Sequence, residues 1–263
     1  MKSNIWAIAD LHLSLGNPAK EMQVFGPPWD NYVEKIEKNW REKIQKEDLI
    51  LIAGDISWAS KLEEAMVDLE WIDALPGTKL LCKGNHDHWW ESSNKMQKLL
   101  PPSIHFIHRS CFTWGSVAIA GARLWDSPEE YRFNSYIEIK ENPRQNKEKA
   151  VPSSEETEKM FIRELERLET SLKLIPLEAK IKIAMLHYPP IGAELHSSRA
   201  SMLLEKYGID ICVFGHLHNI KKNSSLFNKK NSILYFLTSA DYLNFEPLLL
   251  NKFFPSATLV AKP

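Results

Sequence analysis

The sequence predicts an α/β fold of two packed mixed β-sheets flanked by helices, a four-layer α-β-β-α sandwich. Three observations predict it. Short apolar runs alternate with charged, amphipathic stretches up to residue 100. Beyond that point strand-like runs cluster, with tight turns between some of them. Five apolar runs pass directly into Asp, Asn or His, and in open α/β sheets ligands gather at the carboxyl ends of strands.

Residues 5–9 form an unbroken apolar run, a buried strand that stops at Asp10. Residues 31–46 are charged but carry Val33, Ile36, Trp40 and Ile44 at helical spacing, which predicts an amphipathic helix. A second strand at 49–53 runs into Asp55, and a helix at 62–75 is closed by Pro76 and Gly77. A third strand at 79–82 leads into Gly84, Asn85, His86 and Asp87. The next helix, 89–100, is stopped by Pro101 and Pro102, and Asp87 is placed to cap its start. Residues 104–107, 111–114 and 117–120 are short strands close enough in sequence to be antiparallel. Residues 131–152 are polar and mixed in charge, an insertion within one domain spanning 1–263, because site-type residues occur on both sides of it. Then come a charged helix at 155–174, a strand at 181–186 ending at His187, and a helix at 198–207. A strand at 210–214 ends at Gly215, His216, Leu217 and His218, and further strands follow at 233–237 and 258–261.

Composition narrows the function. Lys and Arg total 33 against 34 Asp and Glu, a formal charge of −1, which disfavours nucleic acid or a membrane surface as the main partner. Cys82, Cys111 and Cys212 are too few and too scattered for a disulfide framework and read as buried thiols of a reducing compartment. No apolar run approaches the ~18–20 residues of a membrane span. The run at 5–9 is shorter than the ~7–15 residues of a signal core. The expected location is therefore the cytoplasm.

Taken singly, an Asp after a strand is a turn residue or a cap, and a lone His is an ordinary hydrogen-bonded side chain. Taken together, two Asp, one Asn and several His at strand ends make a mixed oxygen and nitrogen donor set. Imidazole suits Zn, Fe, Mn or Cu, and carboxylate suits Mn or Mg. The D-x-H and H-x-H spacings fit a turn after a strand, where neighbouring side chains reach one side.

In order and approximate spacing, D-x-H at 10–12, G-D at 54–55, G-N-H-D at 84–87, His187 and G-H-x-H at 215–218 resemble the calcineurin-like metallophosphoesterase superfamily. Residues 54–59 (GDISWA), 187–190 (HYPP) and 215–218 (GHLH) are similar to a bacterial branch of predicted phosphohydrolases. The resemblance implies that Asp10, His12 and His218 hold one divalent metal, that Asn85, His187 and His216 hold a second, and that Asp55 bridges them. Such a pair, ~3.5–4 Å apart, hydrolyses a phosphoester by metal-bound hydroxide. The metals it implies are two ions of Mn, Fe, Zn or Co. His86 is implied as the catalytic residue that contacts the phosphate or protonates the leaving group. Many members carry an acid three residues after the bridging Asp to orient this His, whereas here the position is Trp58.

Other candidates rest on residue type. Arg123, after a strand, suits a bidentate phosphate contact or a surface ion pair. Lys221, Lys222, Lys229 and Lys230 offer local positive potential or a solvated loop. Trp29, Trp89, Trp90 and Trp125 suit a pocket wall or the core. His88, His105, His108 and His196 lack ligand spacing and read as structural. The apolar segment 245–254 covers either the domain's own core or a second copy. The expected activity is hydrolysis of a phosphodiester or a small phosphorylated metabolite. The rival readings are a protein Ser/Thr phosphatase, a nuclease, and a non-catalytic binding scaffold of the same fold.

Overall fold

The computed structural model describes residues 3–129, 131–138, 153–222, 224 and 226–254. Eleven strands and five α-helices are present among them. The first sheet contains β1 (Ile5–Ile8), β2 (Leu49–Ile52), β3 (Thr78–Leu81), β4 (Ile104–Phe106) and β11 (Leu248–Leu249), in the order β11-β1-β2-β3-β4. Its strands are parallel except β11, which runs antiparallel to β1 at the edge. The second sheet has the order β5-β6-β7-β8-β10-β9, from β5 (Cys111–Trp114), β6 (Val117–Ala122), β7 (Ile181–Leu186), β8 (Ile211–Phe214), β10 (Ile233–Leu237) and β9 (Lys229–Lys230). Only its two edge strands, β5 and β9, are antiparallel to their neighbours. Both sheets are thus mixed.

Side-chain alternation along these strands builds three apolar layers. On β2, Leu49 and Leu51 join Ile119, Ile183 and Val213 between the two sheets. Ile50 and Ile52 face the other way, against Ile36, Trp40, Leu69 and Ile72. Those partners lie on α1 (Tyr32–Lys43) and α2 (Leu62–Asp73), and Met96 of α3 (Ser93–Leu99) joins the same layer. On the second sheet, Ala184, Leu186, Cys212 and Phe214 pack on Phe161 and Leu168 of α4 (Ser154–Leu172) and on Leu204 of α5 (Arg199–Lys206). Helix, sheet, sheet and helix give the four expected layers. Each of α4 and α5 begins in a reciprocal cap, Ser153 with Glu156 and Ser198 with Ser201.

Two expectations are corrected, and one open alternative is decided. The strand at 104–106 does not join the antiparallel group. It pairs parallel with β3, because α3 carries the chain back along the first sheet as a crossover. The helix expected over 89–100 begins at Ser93, since Asp87 is engaged elsewhere. The apolar segment after residue 245 covers the domain's own core: Phe245 and Leu250 are buried in it and β11 edges the first sheet. The strand expected at 258–261, and residues 139–152 of the expected insertion, lie outside the described residues. Residues 131–138 pack Phe133, Tyr136 and Ile137 against the second core. No helix among the described residues is long and apolar enough to cross a membrane. Cys82, Cys111 and Cys212 are free thiols.

Candidate metal centre

The two sheets meet at their carboxyl ends. Ala9 pairs in parallel with Ser239, so the chain leaving β1 is tied to the chain leaving β10. Beyond that point Asp10 N–H donates to Gly54 C=O (2.9 Å) and His12 N–H to Asp55 C=O (2.9 Å), which lays the first two motif loops side by side. Gly215 N–H donates to His187 C=O (3.1 Å) and His216 N–H to the Asp10 carboxylate (3.0 Å), which brings in the second sheet.

These loops are sharply bent. Asp10, His12, Asp55 and His216 all sit at positive φ, at 57°, 46°, 52° and 74°. That backbone region is sparsely populated by non-glycine residues and concentrates at functional sites. Two motif glycines make room for carboxylates. A Cβ on Gly84 would lie 2.0 Å from Asp55 Oδ1, and one on Gly215 would lie 2.3 Å from Asp10 Oδ2. The G before N-H-D and the G before H-x-H are therefore steric requirements of this site.

The seven expected ligands converge. Asp10, His12 and His218 offer donor atoms that all lie within 4.8 Å of one another, and so do Asp10, Asp55 and His187. Asp55 Oδ2 lies 3.8 Å from His12 Nε2 and 3.6 Å from His187 Nε2, between the two sets. Asn85 Oδ1 lies 2.6 Å from His187 Nε2 and 3.0 Å from His216 Nδ1. His12 Nε2 faces His218 Nε2 at 3.2 Å.

Charge at this point is poorly compensated by the protein alone. Asp10 and Asp55 are fully buried, and the only cation-capable groups within 4.0 Å of them, among the described residues, are histidines. Burial pushes the Asp10 carboxyl up to about 6 and raises Asp55 well above the usual carboxylate range, with Asp87 and Asp10 adding repulsion. Burial and the neighbouring imidazoles hold His12 and His187 well below the ordinary histidine value, and bring His216 down to about 3. At His218 burial opposes charge, but the Asp241 and Asp10 carboxylates outweigh it and lift the ring to about 9. Buried carboxylates beside neutral imidazole lone pairs and an amide oxygen make a donor set that suits divalent cations.

Two ligand rings are oriented from behind. His187 Nδ1 bonds Ala53 C=O at 3.0 Å, which leaves Nε2 for the site. His218 Nδ1 bonds Asp241 Oδ1 at 2.9 Å, and Asp241 also accepts from Asn219 N–H at 3.0 Å. Asp241 thus belongs to the candidate site, and the sequence did not point to it. Its signal was the same as the others, an acid shortly after a strand, here β10, but no His or Gly accompanies it.

His86 stands at the edge of the group, its ring centroid 5.6 Å from that of His12. Its backbone N–H donates to Asp55 Oδ1 at 2.8 Å. Trp58, where an acid was expected, packs against the His86 ring at 4.3 Å and stacks on His12 at 5.0 Å, so an aromatic face orients His86. Asp87 is no helix cap. It is buried and accepts from the backbone N–H groups of Ile56, Ser57 and Gly84 and from Trp89 Nε1, which staples the Asp55 loop to the Asn85 loop.

Trp29 walls the site edge-on to His12 and His218, whereas Trp89 is buried in the core and Trp90 packs against it. Arg123 contributes its carbonyl, which accepts from His187 and Tyr188 N–H, while its guanidinium pairs with Glu164 and lies over Trp125. Lys221 and Lys230 donate to loop oxygens of Ser135 and Ser197. A cavity of about 330 Å³, lined by Trp125, Tyr131, Phe133 and Tyr188, opens onto His216.

The family described as calcineurin-like phosphoesterase matches residues 3–219. The Gene 66 protein of Mycobacterium phage D29 is 38% identical over 86 residues, which span 32% of this chain and 41% of that protein. Among solved structures, the chain is similar to a protein of unknown function from Aquifex aeolicus, at 14% identity, TM-score 0.47, and 95% and 97% coverage of the two chains. It is also similar to GAP50, the anchor in the inner membrane complex of Plasmodium, at 13% identity, TM-score 0.49, and 91% and 72% coverage.

Proposed function

The chain belongs to the calcineurin-like phosphoesterase family, and from that premise we propose that it is a two-metal phosphoester hydrolase acting on a phosphodiester or another small phosphorylated metabolite. The observation that carries the reading is the position of Asp55. Its Oδ2 lies within 4 Å of a ligand nitrogen on each side, so one carboxylate serves both donor groups. Asp10, His12 and His218 would hold one divalent ion, and Asn85, His187 and His216 the other. Bound there, such ions supply Lewis-acid charge at the phosphoryl oxygens and lower the pKa of water.

The remaining work falls to the chain's own side chains. Asp241 and Ala53 C=O fix the orientation of His218 and His187, so their Nε2 atoms stay aimed into the site. Trp58 and Trp29 exclude water from the His12 side. His86, held over Trp58, donates a proton to the departing ester oxygen. The substituent on phosphorus occupies the aromatic cavity beside His216.

The test is hydrolysis of bis(p-nitrophenyl) phosphate beside p-nitrophenyl phosphate by metal-stripped protein, with and without added Mn²⁺. Metal-dependent turnover, absent in Asp55→Asn, is expected, and the ratio of the two rates separates diesterase from monoesterase. Bound metal without turnover of either ester points to a narrow-specificity enzyme or to the non-catalytic scaffold. A protein that binds no metal overturns the reading.

A further inference from the structure

A second pocket lies beside the metal centre and shares none of its ligands. It has a volume of about 350 Å³ and opens at the carboxyl ends of β3, β4 and β6, against α4. Five basic side chains line it: Lys83 after β3, Arg109 after β4, Arg123 after β6, and Arg163 and Arg167 on α4. Two carboxylates accompany them, and both are committed. Glu164 is buried and bonds Arg123 at 3.1 Å and Arg167 at 2.5 Å. Glu91 bonds Lys95 at 2.8 Å. Lys83, Arg109 and Arg163 form no ion pair among the described residues.

A chain of formal charge −1 thus gathers five cations around one small cavity. Like charges placed together repel; Glu164 offsets part of that repulsion, and an entering anion would relieve the rest. The Nε atoms of Arg123 and Arg167 are buried without a hydrogen-bond partner, an unmet donor capacity on the same wall. His108, which lines the same pocket, is held below its ordinary value by burial first and then by Arg167 and Arg109. Guanidinium groups match phosphate oxygens in planar, bidentate geometry, and pockets of roughly 300 Å³ upward accept small organic ligands.

We propose that this pocket is a second anion site that binds a phosphate-bearing ligand next to the metal centre. It adjoins that centre through one covalent and one hydrogen-bonded link: Lys83 precedes the Gly84 and Asn85 loop, and the Arg123 carbonyl accepts from His187 N–H. The same phosphate chemistry can come from a further phosphate of the substrate or from a free anion.

The experiment is calorimetric titration of inorganic diphosphate into the full chain, with and without chelator, for the parent and for Arg109→Ala/Arg163→Ala. Both arginines are exposed, so the double variant is expected to melt with the parent, and the two single variants carry the test if it does not. One saturable site that persists under chelator, weakens as salt rises, and loses at least tenfold in affinity in the variant is expected. No saturable binding under chelator, or equal binding by the variant, overturns the proposal. The source follows from kinetics of the loaded enzyme. A KM rise in the variant for a bisphosphorylated ester, relative to a monophosphorylated one, assigns the site to the substrate's own second phosphate. An unchanged KM ratio alongside lost diphosphate binding assigns it to a free anion. The binding arm depends on neither metal nor turnover, so its failure and that of the proposed hydrolase are distinguishable.

Discussion

Asp241 holds the Nδ1 side of His218 at 2.9 Å and the backbone of Asn219 at 3.0 Å, so the ring cannot turn its Nε2 away from Asp10 and His12. Outer carboxylates of this kind typically carry 10- to 100-fold in metal affinity. Asp241→Asn keeps the shape and one acceptor oxygen but removes the charge. A loss of about tenfold or more in affinity is expected, read by competition with a chelating dye, with the fold intact by circular dichroism. His86 gives the opposite pattern. It contacts Asp55 through its backbone N–H, which His86→Ala retains, so metal content should be unchanged while kcat falls about 10²-fold or more. Equal losses of metal and rate would make His86 a ligand instead. The proposed ligands were legible in the sequence because each follows a strand end in a spaced motif. Asp241 was not, since its partner stands 23 positions back and only the fold brings the two together. Asp87 was misread for the same reason. A cap is a local assignment, and the donors it bonds, Ile56 and Ser57, are about thirty residues away.

At the scale of elements, the strands, helices and their apolar faces follow from alternation and periodicity, which is why most bounds agree with expectation. Pairing does not follow from local pattern. The strand at 104–106 looks like its antiparallel neighbours and is instead the parallel edge partner of β3. On that same β3, Lys79 is buried in an apolar strand, with its ammonium bonded to the carbonyls of Asp73 and Leu75 at the end of α2 and to Ser103 Oγ. Burial lowers it to about 8 against an ordinary 10.5, with Asp73 opposing part of the effect. Between those two pH values the unfolded chain retains a proton that the folded chain has released. Unfolding therefore takes up a proton, and stability rises with pH across that window, by about 3 kcal/mol over its full span. Denaturant melts from pH 7.5 to 10.5 should show this rise as the difference between the parent and Lys79→Met; a flat difference would place the amine in water. Gly84 sets a steric limit in the loop that follows. Gly84→Ala drives a Cβ to within 2.2 Å of Asp55 N, so it should cost about 1–3 kcal/mol in a denaturant melt and lose bound metal as well.

In the whole molecule, the candidate centre is the place where the two sheets are joined. Asp10, His12, Asp55 and Asn85 follow strands of the first sheet, and His187, His216 and His218 follow strands of the second. The layer between the sheets is apolar and holds them by burial, but at their carboxyl ends the contact is between buried carboxylates and imidazoles. Ions placed there would offset that charge and bond side chains from both sheets at once. A ligand that binds only the folded chain stabilises it by RT ln(1 + [L]/Kd), about 2.7 kcal/mol at a hundredfold excess over Kd. For a domain of this size that corresponds to a rise in Tm of roughly 5–10 °C. Scanning calorimetry of chelated and Mn²⁺-loaded protein should show such a shift in the parent, and Asp55→Asn should lose most of it, because that carboxylate lies between both donor groups. If metal binds in the parent without moving Tm, the unfolded chain binds it as well as the folded one, and the folded arrangement of these side chains adds nothing to its affinity.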